Sequence, residues 1–549
     1  MLRIVPLGGL GEIGLNAMAV ESHGRRLLID CGLMFPRAAL PGVDVISPDF
    51  SWLKDAPETL DGVVLTHAHE DHIGALAFLL RDVNVPVWGT PFTLALARHR
   101  LEEAGIKADL RVISCKDPFA VGTAFKVEAF RVTHSVPDAV ALIIKTSTGT
   151  MVHSGDFKLD GVPIDGQPTD LERLGEAGDE GIDLLLADST NAEVEAETPP
   201  EQRVADTMER ILTTAKGRVV VTLFGSHLHR VHHLLGLAKK VGRKVCVLGR
   251  SLERNTQLAT ELGLLGPSPE VLAPNDLANL RPEQMLLLCT GAQAEGRSAL
   301  NTLSLAQPGD GVLAPIGPTD TVVLSARVIP GNEALVHALI DRLLARGATV
   351  LHPGNTPGVH VSGHAARPEL RKLLTTARPK VFVPVHGELR HLRAHHALAQ
   401  ATLGDKTHSV LITDGDALAV DGGKPVSQGR VPVGQHLRRR DSDGIITPEV
   451  LDARRAIAEG GVVVVTIALN LHPPRIVWGP QVEGLGLSTE EQAFLPLAAT
   501  GAKEALEEIS TALWADDARV REELARGVRR VFRQLSGRKP PVVPVLVKL

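Results

Sequence analysis

The chain has 549 residues, too many for one hydrophobic core, and its 44% hydrophobic and 22% charged make-up is that of a folded protein of two to four domains. Aromatic residues at 3%, with no tyrosine, argue against a base-stacking platform, and a net charge of -6 means that any nucleic-acid contact needs a local basic patch. The four cysteines are scattered without a C-x-x-C pair, no signal peptide opens the chain and no apolar run reaches the ~18 residues of a membrane span, so the expectation is a cytoplasmic protein without disulfides, thiolate zinc or membrane partner.

In chain order, Gly9-Leu10-Gly11-Glu12-Ile13-Gly14 comes first and fits the G-x-G-x-x-G of a dinucleotide loop, with Asp30 about where a ribose-binding acid would fall. That reading needs a helix after the glycines. "NAMAVES" followed by "GRRLLID" alternates as a hairpin instead, which makes the glycine turn a loop at the rim of a site. Short β-rich runs follow, among them "RLLIDCG", "GVVLTHAH", "FKVEAFRVTH", "ALIIKT", "TMVHSGD" and "IDLLLADS", and predict two packed sheets with helices outside. From about Pro199 longer helices alternate with single strands, as in "PEQRVADTMERILTTAKG" before "RVVVTLFGS", which predicts a parallel sheet in a second domain. The first texture returns near Val350, so the middle domain reads as an insertion. The Gly/Pro/Arg-rich stretch Asp421–Gly444 reads as a linker, and "VVVVTIAL", two acidic-basic helices and the final strand "PPVVPVLVKL" as a small α/β domain.

The densest chemistry lies in "LTHAHEDHIG", Leu65–Gly74, where His67, His69, Asp71 and His72 follow an apolar strand. Imidazole and carboxylate ligands suit zinc or manganese. Alternate positions let His67 and His69 point one way from an extended loop while Asp71 and His72 turn the other way, so one segment can feed two adjacent metals. The bland alternative is a polar helix start with incidental histidines. A metal pair needs more ligands, and three apolar strands end in suitable ones: "RVTHSVPD" in His134, "MVHSGDFK" in Asp156 and "VFVPVHGELRH" in His386.

This constellation resembles the metallo-β-lactamase fold, and further motifs resemble its nucleic-acid-processing β-CASP branch. "LLLADSTNAE" is similar to motif A at Asp188, "HVSGHA" to motif B at His364 and "PVHGE" to motif C at His386, where histidine is the pattern of the RNA-processing members. "LGGLGEIGLN", "DCGLMFP", "GRSLERN", "CTGAQAEG" and "VIPGNE" resemble the ribonuclease J family specifically. The resemblance implies an α/β protein: a metallo-β-lactamase αββα sandwich (residues 1–198 and 350–420), an inserted β-CASP parallel-sheet domain (199–349), the linker (421–444) and a C-terminal α/β domain (445–549).

It also implies two divalent cations, Zn²⁺ and/or Mn²⁺, one held by His67, His69 and His134, the other by Asp71, His72 and His386, with Asp156 between them. Cations roughly 3.5–4 Å apart can activate a shared hydroxide and stabilise the attacking and leaving oxygens at phosphorus. Asp71, Asp188 and His364 are then the catalytic residues, with Asp188 orienting a ligand imidazole and His364 serving the phosphoryl or leaving oxygen. A monophosphate pocket is implied at His360, Val361, Ser362, Gly363 and His364 and at Ser226, His227 and Leu228, where His227 departs from the family's usual asparagine. For either Asp188 or His364 the alternative is a hydrogen-bonded structural residue. An additional cation near Asp44 is not expected, because Asp452 is displaced by one position from the family pattern.

The activity implied is a 5′-to-3′ exoribonuclease preferring 5′-monophosphorylated single-stranded RNA, with some endonuclease activity, in RNA maturation and decay. The family also implies a homodimer through the C-terminal domain and leaves open a larger RNA-decay complex. Arg529, Arg530, Arg533, Arg538 and Lys539, and "QHLRRR" in the linker, are candidate RNA contacts or simply solvated surface. The rival readings are a β-CASP nuclease for single-stranded DNA, a small-molecule metallo-hydrolase, which would need neither Asp188 nor His364, and an RNA-binding scaffold with a degenerate site.

Overall fold

The computed structural model describes residues 1–36, 40–265, 271–307, 313–329, 331–440 and 444–549. Pro330 of "VIPGNE" and residues 441–443 of the expected linker lie outside them. The chain forms two compact units, Met1–Ala38 with Asp44–Asp443, and Ala39–Val43 with Gly444–Leu549.

In the first unit an eight-stranded sheet runs in the order Lys424–Arg430, Asp416–Asp421, Leu2–Gly8, Ala17–Ser22, Arg25–Ile29, Leu60–Val64, Val87–Gly89, Leu110–Val112. A seven-stranded sheet runs His408–Ser409, Val381–Val385, Leu184–Asp188, Gly149–His153, Val140–Thr146, Phe125–Arg131, Phe119–Val121. Side chains alternate across these strands. Leu27, Ile29, Leu142, Ile144, Leu184 and Val383 fill the core between the sheets. Leu28, Ala141, Ile143 and Leu185 face the outer layers, where helical residues such as Leu174, Leu370 and Leu374 cover them. Burial on both faces is why these strands read as continuous apolar runs. Cutting one of these core leucines to alanine costs about 2–5 kcal/mol.

The chain leaves the second sheet after Leu184–Asp188 and returns to it at Val381–Val385, and these two strands are parallel neighbours with Asp188 opposite Val385. The inserted residues include a five-stranded all-parallel sheet, ordered Lys244–Leu248, Met285–Cys289, Val219–Thr222, Thr321–Leu324, Thr349–Leu351, as the β-α-β rhythm predicts. The early glycines precede the hairpin Ala17–Ser22/Arg25–Ile29, so no dinucleotide-type helix follows them.

The stretch read as a linker is largely ordered. Lys424–Arg430 is an edge strand of the first sheet and Gln435–Arg438 pairs with Val45–Pro48. Its polar, glycine-rich composition is that of an exposed edge strand, which buries too little to carry an apolar pattern. Within "QHLRRR", Arg438 is buried, donates to Ser47 Oγ at 3.0 Å and covers the Phe78 ring, so it is not an RNA contact.

The second unit has a three-stranded sheet, Pro474–Leu485, Val462–Leu471, Val542–Lys548, in which Val463, Val465, Ile467 and Leu469 pack on helices Leu495–Glu507 and Asp517–Ser536. The strand Pro474–Leu485 was not expected. Its prolines and glycines are tolerated because it is an edge strand. Arg530, a candidate RNA contact, is paired with Glu504 and Glu508.

Candidate metal centre

Strand ends deliver the site. His67 and His69 lie in the loop after Leu60–Val64, and Asp71 and His72 in the helical turn Glu70–Ile73, for which His69 is the N-cap. His134, Asp156 and His386 each follow a strand of the second sheet, and Asp188 closes one. The donor atoms fall into groups lying within 4.8 Å: His67, His69, His134 and Asp156, and then Asp71, His72, Asp156 and His386. Asp156 belongs to both.

Two ligand atoms about 2.0–2.1 Å from a tetrahedral centre lie about 3.3 Å apart. In the first group His69 Nδ1 is 3.1 Å from His67 Nε2 and 3.2 Å from His134 Nε2, and Asp156 Oδ2 is 3.6 Å from His67 Nε2. In the second, His72 Nε2 is 3.3 Å from Asp156 Oδ2, and Asp71 Oδ2 is 3.7 Å from His72 Nε2 and 3.3 Å from His386 Nε2. The donor set therefore fits a pair of divalent cations sharing one carboxylate.

The opposite ring nitrogens are held from behind, which fixes both tautomer and orientation. His134 Nδ1 donates to the Gly363 carbonyl at 2.7 Å, His72 Nδ1 to Asp30 Oδ2 at 2.8 Å and His386 Nδ1 to Thr190 Oγ1 at 2.8 Å, while His67 Nδ1 lies 3.0 Å from Thr66 Oγ1. Asp30 also accepts from the Thr66 amide at 2.7 Å and its hydroxyl at 2.8 Å. His386 has φ 53°, left-handed backbone that a non-glycine residue adopts at a cost of about 1–3 kcal/mol, retained here where a side chain must be aimed.

Burial pushes the imidazoles of His67 and His134 well below their ordinary range and His69 down to about 4, so all three are neutral, the form that binds a metal. In the second group burial also opposes charge, but Asp156, Asp71 and Asp30 overcome it and push His72 up to about 10; Asp156, with Asp188 and Asp71, holds His386 well above the ordinary range. Three carboxylates around His72 make a pocket that draws positive charge, as a divalent cation would provide.

Beyond the ligands, His364 Nδ1 donates to Asp188 Oδ2 at 2.7 Å, and Asp188 Oδ1 accepts from Thr190 Oγ1 at 2.7 Å. A third donor group, Asp156, Asp188, His364 and His386, is knitted by these bonds. Asn191 Nδ2 donates to Ser362 Oγ at 2.8 Å and to the His364 carbonyl at 3.0 Å, joining the loop after Asp188 to the motif-B loop.

On the His134 side a recess is lined by Thr133, Ser135, Lys158, His227, Ser362 and Gly363, among others. Of the expected substrate contacts, His227, Ser362 and Gly363 line it. Leu228 and Val361 do not: both are apolar and lie in the core. His360 is turned to Arg230, whose Nη1 is 3.1 Å from its Nδ1, and Ser226 lies outside the lining. The early glycine turn, Gly8 to Leu10, lines a second recess with Asp30, His72, Asp156 and His386, at the rim of the site as expected. Asp44 accepts from the Arg440 amide and belongs to no group of three ligand side chains among the described residues.

The sequence reading missed Thr66, Thr190 and Asn191, and noticed Asp30 only as a ribose-binding candidate. Asp30 closes an apolar strand, as the ligands do, and that was its signal.

Residues 25–222 match the family described as "Beta-lactamase superfamily domain", 216–343 "Ribonuclease J, beta-CASP domain", 358–410 "Zn-dependent metallo-hydrolase RNA specificity domain" and 449–549 "Ribonuclease J C-terminal domain". A protein named Ribonuclease J from Thermus thermophilus is 38% identical over 100% of this chain and 95% of its own length. One from Synechocystis is 42% identical over 85% and 73%. A crystal structure of a protein of unknown function from Enterococcus faecalis shares the fold, with a TM-score of 0.52 at 18% identity over 76% of this chain and 99% of the other.

Proposed function

The chain belongs to the ribonuclease J family and is a metal-dependent ribonuclease, and from that premise we propose that it degrades RNA 5′ to 3′ from a 5′-monophosphate end, with some internal cleavage, in RNA maturation and decay. The observation that carries the reading is the adjacency of two candidate metal donor groups to a recess lined by His134 and Gly363, the carbonyl of Gly363 holding the His134 ring. A terminal nucleotide seated in that recess would bring the next phosphodiester towards the metals.

His67, His69 and His134 would hold one cation, Asp71, His72 and His386 the other, and Asp156 both; nitrogen and carboxylate donors accept Zn²⁺ or Mn²⁺. Once bound, such a pair supplies an activated water and neutralises charge on the phosphoryl oxygens. The chain's own groups do the rest. Asp188 holds one nitrogen of His364, leaving the other to stabilise a phosphoryl oxygen or to give a proton to the departing 3′-oxygen. Thr190 and Asp188 keep His386 in the tautomer that presents Nε2 towards Asp71. Ser362 and Gly363 line the recess for the 5′-phosphate, with His227 beside them.

We also propose a homodimer through the C-terminal unit, supported by the row of exposed apolar residues Val543, Val545 and Val547 on its final strand, and a cytoplasmic location. No helix among the described residues is long and apolar enough to cross a membrane.

The test is a timed digestion of one RNA carrying a 5′-monophosphate, 5′-triphosphate or 5′-hydroxyl, beside the matching single-stranded DNA, with Mn²⁺ or Zn²⁺ added. Mononucleotides should appear fastest from the monophosphorylated RNA and disappear with His67→Ala. Faster loss of DNA, or equal rates for all three 5′ ends, would overturn the proposal.

A further inference from the structure

We infer that Lys158 is the cation that reads the charge of the RNA 5′ end, and that Asp160 is only its resting counter-ion. This rests on the 5′-end-directed activity proposed above and assigns it to a residue outside the metal and motif-B sets.

The argument begins with burial. Lys158 is 3% exposed, at the edge of the recess that Ser362 and Gly363 also line. Lysine is almost never buried to that extent without a partner for its charge. Among the described residues its Nζ has one ion pair, to Asp160 Oδ2 at 3.0 Å, and no further hydrogen-bond partner for its other donors. Asp160 is provided for independently, since its Oδ2 accepts from the Glu201 amide at 2.9 Å and its Oδ1 from the Val162 amide at 3.0 Å. Thus the carboxylate has acceptors engaged with or without the lysine, whereas the ammonium has donors to spare.

Other groups in the recess are short of acceptors in the same sense. His227 is buried and its Nδ1 has no hydrogen-bond partner among the described residues. Ser362 Oγ already accepts from Asn191 Nδ2 at 2.8 Å and from the His364 amide at 3.2 Å, so its remaining capacity is to donate its own proton. Glu201, the other carboxylate of the lining, is engaged by Arg230 at 2.7 and 3.0 Å. A recess with unused donors and engaged carboxylates fits a phosphate monoester, which brings several acceptor oxygens. It does not fit a 5′-hydroxyl, which would leave the ammonium without its acceptors.

The experiment compares kcat/KM for one RNA bearing a 5′-monophosphate or a 5′-hydroxyl, using the metal-loaded full chain. The variants are Lys158→Met, Asp160→Asn and the pair together. Removing the lysine alone leaves the Asp160 charge with only its two amide donors and no counter-ion, so the double variant, which removes both charges, guards against misfolding. The monophosphate-to-hydroxyl ratio should fall by at least about tenfold in Lys158→Met and in the double variant, and hold or rise in Asp160→Asn. A merely structural ion pair would be damaged alike from either side and would leave the ratio where it was. If the wild type discriminates and Lys158→Met keeps its ratio, the role of Lys158 is overturned while the 5′-end reading stands. If the wild type does not discriminate, both fall.

Discussion

The imidazole of His134 is tied to the carbonyl of Gly363 by a 2.7 Å hydrogen bond that spans 229 positions of sequence. One residue belongs to the metal centre, the other to the loop that lines the recess, so neither can be displaced without the other. A Cβ added at Gly363 would stand 2.9 Å from Ser135 Oγ and 3.0 Å from His134 Cε1. Gly363→Ala should therefore move a metal ligand although it removes no donor atom. We expect metal affinity to fall by about 10–100-fold, read by competition with a chromogenic chelator, with the fold retained by circular dichroism. Wild-type affinity would show that the loop can be displaced independently.

Asp30 supports the other half of the centre. It holds His72 Nδ1 and both donors of Thr66 while itself at φ 60°, a conformation that aspartate and asparagine tolerate better than most residues. Asp30→Asn keeps the backbone and one acceptor but removes the charge behind His72. Zinc or manganese content after dialysis should drop towards half that of the wild type, with nuclease activity lost in parallel. Full metal content would assign Asp30 a role in folding alone.

Asp414 lies behind the glycine turn at the rim of the site, bonded to Leu10. Burial, reinforced by Glu12, pushes the Asp414 carboxyl up to about 7, although it accepts the Leu10 amide at 3.2 Å. The folded pKa is raised above the unfolded value, so its contribution is fully present below about 4 and is lost as pH rises through about 7. Asp414→Asn keeps the amide acceptor and cannot ionise. Its melting temperature should exceed that of the wild type by a few degrees at pH 8 and match it closely at pH 4.5, in scanning calorimetry with the metals present. A difference independent of pH would contradict the assignment.

How much of this was legible beforehand depends on what a residue does. Candidate ligands are written as residue types at strand ends and in one short loop, so His67, His69, Asp71, His72, His134, Asp156 and His386 could be singled out, and the structure brings their donor atoms together. Their supporters could not. Thr190 and Asn191 are ordinary loop residues until the register Asp188 opposite Val385 brings the two ends of an insertion together. Lys158 reads as a polar residue after a strand, and only its burial shows that its ammonium has one carboxylate beside it and donors left over. Edge strands such as Lys424–Arg430 and Pro474–Leu485 bury too little to impose a clear apolar pattern, so the first passed for linker and the second went unnoticed. Leu228 and Val361 were named for their place in a motif, and their apolar side chains obeyed the core instead.

Arg230 supplies the last prediction. It is 1% exposed, and its guanidinium grips Glu201 at 2.7 and 3.0 Å, the Ser325 carbonyl at 2.7 Å and the ring of His360. It thereby ties helix Leu228–Val241 to the end of the strand Thr321–Leu324 and to the start of motif B. Breaking a buried pair from one side costs about 3–5 kcal/mol, because the abandoned charge stays buried, whereas removing both charges costs much less. Arg230→Met should lower the unfolding midpoint sharply, and adding Glu201→Gln should recover most of the loss in chemical denaturation of the full chain. The double variant should keep the wild-type metal content, since neither residue belongs to a candidate donor group. If the two substitutions simply add, the pair is not the element that holds this corner together, and the carbonyl and histidine contacts of Arg230 are.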